Sequence, residues 1–254
     1  MRLTVVGSGT VAPHAARVAA AHWIEAGPAR LLLDCGSGAV HGLARLGMAW
    51  PSLTHVAVTH FHIDHVGDLA ALIAALRWGQ LPPRHEPLLL IGPVGTEAWL
   101  GRLAAVHGDW VSRPGYDVVV CELLPNIAFA IAPGVEIVAR AVPHTRESVA
   151  YSVTSGRARV VYTGDTAYDE GLAAWAAGCD VLLAECSLPS SLAIPEHLTP
   201  DTAGALAARA NPGRLLLTHF YPPVEHEDIP AIVASHWSGP VVLARDGTAL
   251  EIEE

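Results

Sequence analysis

The chain has 254 residues, of which 51% are hydrophobic and 16% charged; this composition favours a single packed α/β domain over 1–254 and excludes a disordered chain. Its formal net charge is −10 and its 15 basic residues are scattered arginines, which excludes an extended nucleic-acid-binding surface. No uninterrupted apolar run reaches the ~18 residues that a membrane span needs, and no signal peptide is recognisable, so we expect a cytoplasmic protein without a membrane partner.

Two short strands are predicted near the N-terminus, each followed by a turn. The apolar run 3–6 leads into Gly7-Ser8-Gly9, and the run 30–33 leads into Asp34-Cys35-Gly36. Apolar runs bounded by glycine and aspartate are typical of buried strands that end in a tight turn. Both turns therefore place small or acidic residues at an edge of a sheet.

The segment 60–65 carries the strongest chemical signal in the chain and follows the apolar run 56–58. It reads His60-Phe61-His62-Ile63-Asp64-His65. Imidazole nitrogens and carboxylate oxygens are ligands that zinc selects in proteins. In extended chain His60 and His62 lie on one side, because side chains alternate, and the following turn brings Asp64 and His65 to a second position. The spacing predicts a hydrolytic centre in which one segment serves two metal ions.

The elements that follow alternate between helix and strand. Apolar residues at helical spacing over 69–76 predict an amphipathic helix after the histidine motif. A second helix is predicted to begin at the N-cap Thr199, with Pro200 in its first turn, and to end at Asn211. Buried strands are predicted at 88–91, 118–121, 135–142, 149–154, 160–163, 181–184, 215–218 and 241–244. This alternation predicts an α/β arrangement of packed sheets with helices on both outer faces.

Three further candidate ligands stand where predicted strands end. His144 comes after the strand at 135–142, Asp165 after the strand at 160–163, and His219 after the strand at 215–218. Strand ends at one edge of a sheet project their side chains into a common cleft. We therefore expect these three residues to join the histidine motif.

Together the candidates supply seven ligands for two divalent metal ions. One ion takes three histidines, the other takes a carboxylate and two histidines, and an aspartate bridges the pair. In that order the ligands are His60, His62 and His144, then Asp64, His65 and His219, then Asp165. This arrangement leaves an open position between the ions for a hydroxide, and it makes Asp64 a candidate catalytic residue as well.

The pattern H-x-H-x-D-H followed by His, Asp and His resembles the metallo-β-lactamase superfamily, and its details are similar to the ribonuclease Z-like phosphodiesterase branch. Those details are Gly7-Ser8-Gly9, Leu33-Asp34-Cys35-Gly36, Pro143-His144, Thr163-Gly164-Asp165-Thr166, Ala184-Glu185 and Glu196-His197-Leu198-Thr199. The resemblance implies an αββα sandwich of two mixed sheets, with the metal ions at the open edge between them. It also implies that Asp34 orients the metal shell from behind, that His197 and Glu185 form a proton-handling pair, and that the protein is a homodimer.

The resemblance further implies a zinc-dependent phosphodiesterase that uses a metal-bridging hydroxide, with manganese or iron as the other candidate metals. Ribonuclease Z enzymes that trim transfer RNA carry a basic arm between their third and fourth motifs. Here His144 and Asp165 are only 21 positions apart, so that arm has no room. We therefore expect a small or cyclic phosphodiester or an RNA 3′ end as the substrate, rather than transfer RNA.

Other functions stay open at this point. The same fold serves lactonases, thioesterases and single-iron sulfur dioxygenases, because sites do not follow from folds. An NAD-binding oxidoreductase is a separate alternative: residues 7–12 fit the pattern G-x-G-x-x-A, Asp34 follows Ala12 by 22 residues, and 15–25 would form the helix between them. A non-catalytic binding module would not need all seven ligands.

Overall fold

Two seven-stranded sheets pack face to face in the computed structural model, which describes residues 1–254. The first sheet contains β1 (Arg2–Gly7), β2 (Ala21–Ala26), β3 (Ala29–Leu33), β4 (His55–Ala57), β5 (Leu88–Gly92), β6 (Val118–Glu122) and β14 (Ala249–Glu251). The second sheet contains β7 (Ala128–Ala132), β8 (Val135–Ala141), β9 (Val149–Ser155), β10 (Ala158–Tyr162), β11 (Val181–Glu185), β12 (Arg214–Thr218) and β13 (Val241–Leu243).

Both sheets are mixed. The first has the order β14-β1-β2-β3-β4-β5-β6, in which β14 to β3 pair antiparallel and β3 to β6 run parallel. The second has the order β13-β12-β11-β10-β9-β8-β7, in which β13 to β10 run parallel and β10 to β7 pair antiparallel. Parallel neighbours end at the same edge, so the loops after β3 and β4 emerge together, as do those after β10, β11 and β12.

Helices cover the outer faces of both sheets. They are α1 (Ala39–Arg45), α2 (Ile63–Val66), α3 (Leu69–Trp78), α4 (Thr96–His107), α5 (Glu170–Trp175), α6 (Pro200–Ala210) and α7 (Ile229–Ala234). In β3, Leu31 and Leu33 point into the core between the sheets, whereas Leu32 packs into the second core beneath α1, α3 and α4. The αββα sandwich expected from the sequence is therefore confirmed. None of the helices combines the length and the apolar composition that a membrane span requires.

The structure confirms the predicted helix after Thr199 and the residues that cap it. The Thr199 side chain accepts a hydrogen bond from the backbone N–H of Thr202, and the Thr202 hydroxyl in turn accepts from the backbone N–H of Thr199. This capping box satisfies two N–H groups at the helix start. The helix ends at Asn211, which adopts a left-handed conformation with φ of 45°.

The segment proposed as a helix in the dinucleotide-binding alternative is not helical. Residues 21–26 form β2, which pairs antiparallel with β1, whereas a dinucleotide-binding unit needs a helix leading to a parallel strand. A Cβ on Gly7 would lie 1.9 Å from the carbonyl oxygen of Ala19. The glycine is therefore required because two backbone segments pack against each other there, and the dinucleotide-binding interpretation is wrong.

Candidate metal centre

All seven candidate ligands converge at one edge of the sandwich, at the ends of four strands and in one short helix. His60 and His62 lie in the loop after β4, Asp64 and His65 lie in α2, and His144, Asp165 and His219 follow β8, β10 and β12. The strand β4 belongs to the first sheet, and β8, β10 and β12 belong to the second. The ends of β10 and β12 are aligned because both strands run parallel to β11.

The first group of ligands consists of three imidazoles that meet at one point. Nε2 of His60 lies 3.0 Å from Nδ1 of His62, and Nε2 of His144 lies 3.2 Å from the same Nδ1 atom. Burial, followed by the neighbouring His65, lowers the pKa of His60 from its usual value, so this imidazole is neutral. A neutral imidazole offers the lone pair that a metal ion requires.

The second group is Asp64, His65 and His219, and all three side chains are buried. Nε2 of His219 lies 3.3 Å from Oδ2 of Asp64. Burial tends to raise the pKa of Asp64, but the hydrogen bond from His219 and the charge of His65 outweigh it and lower the pKa below its usual value. The carboxylate is therefore ionised, which is the form that binds cations.

Asp165 connects the two groups, because each of its carboxylate oxygens faces one of them. Oδ1 lies 3.2 Å from Nε2 of His65 and 3.4 Å from Nε2 of His219. Oδ2 lies 3.8 Å from Nε2 of His144 and 3.9 Å from Nε2 of His60. Each carboxylate oxygen of Asp165 therefore faces a different group of candidate ligands.

Two buried atoms in this centre lack a hydrogen-bond partner and face each other: Nε2 of His65 and Oδ1 of Asp165. Unpaired buried polar atoms are costly, so they point to a missing partner. Burial lowers the pKa of His65, but Asp165 and Asp34 outweigh it and raise the pKa well above its usual value. A metal cation in place of that proton satisfies both atoms, so the donor set fits divalent metal ions.

Four of the ligand histidines use Nδ1 to hold a partner outside the centre and direct Nε2 inward. The partners of His60, His65, His144 and His219 are, in that order, Oγ1 of Thr59 at 3.0 Å, Oδ2 of Asp34 at 2.7 Å, the carbonyl oxygen of Glu196 at 3.0 Å and Oγ of Ser187 at 2.9 Å. An Nδ1–H group that donates outward leaves a lone pair on Nε2. The surrounding residues therefore fix these four imidazoles in the metal-binding tautomer.

Asp34 lies behind the candidate ligands, in the position that the family resemblance implies. The carboxylate is fully buried and accepts hydrogen bonds from the Thr59 backbone N–H at 2.7 Å, from Nδ1 of His65 at 2.7 Å and from the Tyr162 hydroxyl at 2.8 Å. Asp34 adopts a left-handed conformation with φ of 58°, and the ligand His219 does so with φ of 61°. Such conformations are costly outside glycine and are concentrated at functional sites.

His197 and Glu185 lie beside the ligands and contact each other. Nδ1 of His197 is 3.0 Å from Oε2 and 3.1 Å from Oε1 of Glu185, and Oε1 also accepts a hydrogen bond of 2.6 Å from the Thr166 backbone N–H. Burial lowers the pKa of His197, but the hydrogen bond and the charge of Glu185 outweigh burial and raise the pKa above 6.5. This leaves Nε2 of His197 free to contact a bound molecule.

His197 could also be counted as a ligand, because its Nδ1 lies 3.9 Å from Oδ2 of Asp165 and near His219. However, Nδ1 is already engaged by Glu185 at a shorter distance. We therefore group His197 with Glu185 rather than with the metal ligands. His197 borders on open space, since it lines, together with Asp165, a cavity of about 280 Å³ at the mouth of the centre.

Sequence reasoning missed three residues that hold the centre together: Thr59, Tyr162 and Ser187. The Ser187 hydroxyl donates to Glu185 and accepts from Nδ1 of His219, so it joins the proton-handling pair to a ligand. Serine, threonine and tyrosine are common in every part of a protein. The only available signal was that each of the three stands close to a candidate site residue in the sequence. Closeness in sequence does not show which side chains contact each other.

Comparison with known proteins agrees with this geometry. The family model described as "Beta-lactamase superfamily domain" matches residues 29–220, a range that contains every candidate ligand together with Asp34, Glu185 and His197. The chain is 29% identical to the protein named ribonuclease Z of Mycobacterium avium, over 100% of this chain and 99% of the relative. It is 33% identical to the uncharacterized protein ML1173 of Mycobacterium leprae, over 88% of this chain and 78% of the relative.

Solved structures share the fold. The metallo-β-lactamase fold protein YhfI of Bacillus subtilis superposes with a TM-score of 0.84 at 24% identity, covering 98% of both chains. The short form of human tRNase Z superposes with a TM-score of 0.80 at 22% identity, covering 100% of both chains. A diphosphatase of the PhnP family has a TM-score of 0.73 at 19% identity, covering 99% of this chain and 98% of that one.

Proposed function

Because this chain belongs to the metallo-β-lactamase superfamily, we propose that it is a binuclear metal-dependent phosphodiesterase of the ribonuclease Z-like kind. The observation that carries the proposal is the position of Asp165, whose two carboxylate oxygens each face a separate group of ligands. A single structural ion would not need a bridging carboxylate between two sets of imidazoles.

We assign two divalent ions to this centre, with zinc as the preferred metal because imidazoles supply most of the ligands. His60, His62 and His144 would hold the first, Asp64, His65 and His219 the second, and Asp165 would contact both. When bound, such a pair of ions polarises a phosphodiester and lowers the pKa of water to near neutrality. Asp64 is the only carboxylate of the second group, so it neutralises part of the charge of the ion that it binds.

His197 handles the proton that the leaving oxygen requires. Its Nδ1 is held by Glu185, so its Nε2 is the atom that reaches the substrate. Because Glu185 raises the pKa of the His197 imidazole against the opposing effect of burial, it favours the protonated ring, which is able to donate its proton to a departing alkoxide. Glu185 acts through His197, by fixing the ring and supporting its charge.

The chain segment between His144 and Asp165 supports a particular substrate class. In the structure this segment is the tight hairpin of β9 and β10, joined at Gly156, and it carries no inserted arm. The chain also has a net charge of −10, which opposes the binding of a long polyanion. We therefore propose a small or cyclic phosphodiester, or the 3′ end of an RNA, rather than transfer RNA.

The proposal predicts measurable hydrolysis of bis(p-nitrophenyl) phosphate that depends on bound metal. The purified protein is compared after metal loading and after chelation, with metal content measured in parallel. A panel of a 3′,5′-cyclic nucleotide, a short RNA, precursor transfer RNA and a homoserine lactone then separates the substrate classes. Hydrolysis of the lactone without any phosphodiester would replace the proposal with a lactonase, and full activity without metal would end it.

Two further expectations from the sequence belong to the proposal: a homodimer and a cytoplasmic location. The first comes from the family resemblance. Light scattering of the purified protein tests the first. A mass corresponding to one chain at working concentration would contradict it.

A further inference from the structure

A second cavity of about 520 Å³ opens beside the metal centre. We call it the arginine groove and define it by Phe61, Pro93, Val94, Arg102, Leu123 and Arg146. Its volume lies in the range of small-molecule sites, and its apolar residues are accompanied by two arginines that line the same space. None of these residues takes part in the metal centre described above.

Two residues of the arginine groove lie close in sequence to ligands of the first group. Phe61 stands between His60 and His62, and Arg146 comes two residues after His144. The Phe61 ring is fixed by stacking on Trp99, with ring centroids 5.6 Å apart and planes at 7°. The groove therefore begins next to the first ligand group along the chain.

The two arginines are free to bind an anion. Five of the 15 arginines are engaged by carboxylates, as Arg17 is by Glu225 and Arg45 by Asp246. Arg102 and Arg146, in contrast, are exposed and form no ion pair or side-chain hydrogen bond. An exposed arginine fork that is not paired matches the geometry of a phosphate group.

Of the carboxylates at the groove, Glu147 lines it and offsets one of the two arginine charges. Glu122 lies nearby, but its Oε1 accepts hydrogen bonds of 3.0 Å from the backbone N–H groups of Gly95 and Glu97 at the start of α4. Glu147 also lines the groove, and it makes no ion pair with either arginine within 4.0 Å. The groove therefore has an excess of one positive charge in a protein of net charge −10.

We propose that the arginine groove binds a second anionic group of the substrate, a phosphate one nucleotide away from the phosphodiester that is cleaved. This inference rests on the proposed phosphodiesterase function and narrows it. The preferred substrate is then a phosphorylated dinucleotide or the end of a longer oligonucleotide, and an isolated cyclic phosphodiester is a poorer one. The apolar residues of the groove, Phe61 among them, contact the nucleoside that lies between the two phosphates.

Three dithymidine substrates test the proposal: TpT, TpT with a 5′-phosphate and TpT with a 3′-phosphate. We expect a terminal phosphate at one of the two ends to raise kcat/KM by about tenfold. The double substitution Arg102→Ala and Arg146→Ala removes that gain. It leaves the turnover of bis(p-nitrophenyl) phosphate, which has no second anion, unchanged within about twofold.

Arg113→Ala is the matched control, because Arg113 is equally exposed and unpaired but lines a different cavity. It removes one positive charge outside the groove and should keep the tenfold gain. Calorimetry adds a readout without turnover: metal-loaded protein should bind adenosine 3′,5′-bisphosphate about tenfold more tightly than AMP, and the double variant should bind both equally.

The outcomes separate this inference from the proposed function. If bis(p-nitrophenyl) phosphate is hydrolysed but neither terminal phosphate improves kcat/KM, the groove is not an anion site and only the inference is overturned. The same holds if the gain persists in the double variant. If no phosphodiester is hydrolysed by the metal-loaded protein, the proposed function fails and the inference fails with it.

Discussion

Oδ2 of Asp34 accepts a 2.7 Å hydrogen bond from Nδ1 of His65, and both side chains are completely buried. Asp34 follows β3 and His65 lies in α2, so this bond joins the end of the first sheet to the histidine motif. It fixes the ring of His65 and leaves Nε2 pointing at Asp165. A metal ligand is thus positioned by a carboxylate that does not itself enter the centre.

The substitution Asp34→Asn tests that relationship. It keeps the shape of the side chain but removes the charge that supports His65, so we expect metal affinity to fall by about 10- to 100-fold. The dissociation constant is measured by competition with a chromophoric chelator. Asp117→Asn, at an exposed position outside the centre, serves as the control. Equal affinity in both variants would show that Asp34 has no part in holding the metal.

His197→Ala tests the proposed proton donor. We expect kcat for a dinucleotide, whose leaving group is a poor alkoxide, to fall by about 10²- to 10⁴-fold while metal content is retained. Hydrolysis of bis(p-nitrophenyl) phosphate should fall much less, since nitrophenolate leaves without a proton. An equal loss on both substrates would indicate that His197 has a structural role or binds metal instead.

Glu185→Gln gives a pH-dependent signature. His197 acts in its protonated form, and Glu185 raises the pKa of His197 against the opposing effect of burial. Removing the carboxylate therefore lowers the pKa of His197, and the alkaline limb of the kcat profile for a dinucleotide moves to lower pH. The profile of bis(p-nitrophenyl) phosphate provides the internal reference. An alkaline limb that stays in place would contradict the pairing of these two residues.

Gly36→Ala tests how closely the backbone packs beneath the centre. A Cβ at Gly36 would lie 2.0 Å from the carbonyl oxygen of Asp64, so the ligand segment must move. We expect the free energy of unfolding to fall by about 3 kcal/mol, with weaker metal binding. Gly101→Ala is the control, because a Cβ there meets nothing within 4 Å and alanine favours the helix by ~0.5–1 kcal/mol. Equal free energies of unfolding for the two variants, measured by denaturant titration, would contradict this packing.

Most of the fold was predictable because long apolar runs and helix caps carry local signals. The strands of the parallel part, such as β10 and β12, are continuous apolar segments, and the capping box at Thr199 marks a helix start. In contrast, β2 is buried along nearly its whole length and contains alanine, so it shows no alternation. The short strands β7 and β14 lie at sheet edges, where composition alone does not distinguish strand from loop.

The cluster of candidate ligands was predictable for a different reason, since histidine and aspartate at strand ends are chemically specific. Each of the seven occupies the cluster that the sequence indicated. The residues that fix them were not predictable, because the contact between Ser187 and His219 spans 32 positions. The arginine groove was missed likewise, since Arg102 and Arg146 are distant in sequence and line a common cavity only in the folded protein.

Diffraction from crystals of the zinc-loaded protein, measured on both sides of the zinc absorption edge, tests the central claim most directly. We expect two anomalous peaks, one among His60, His62 and His144 and one among Asp64, His65 and His219, with Asp165 in contact with both. We also expect His62→Ala to lose the first peak together with hydrolysis of bis(p-nitrophenyl) phosphate. No peak at these side chains, or full hydrolysis by protein without metal, would contradict it.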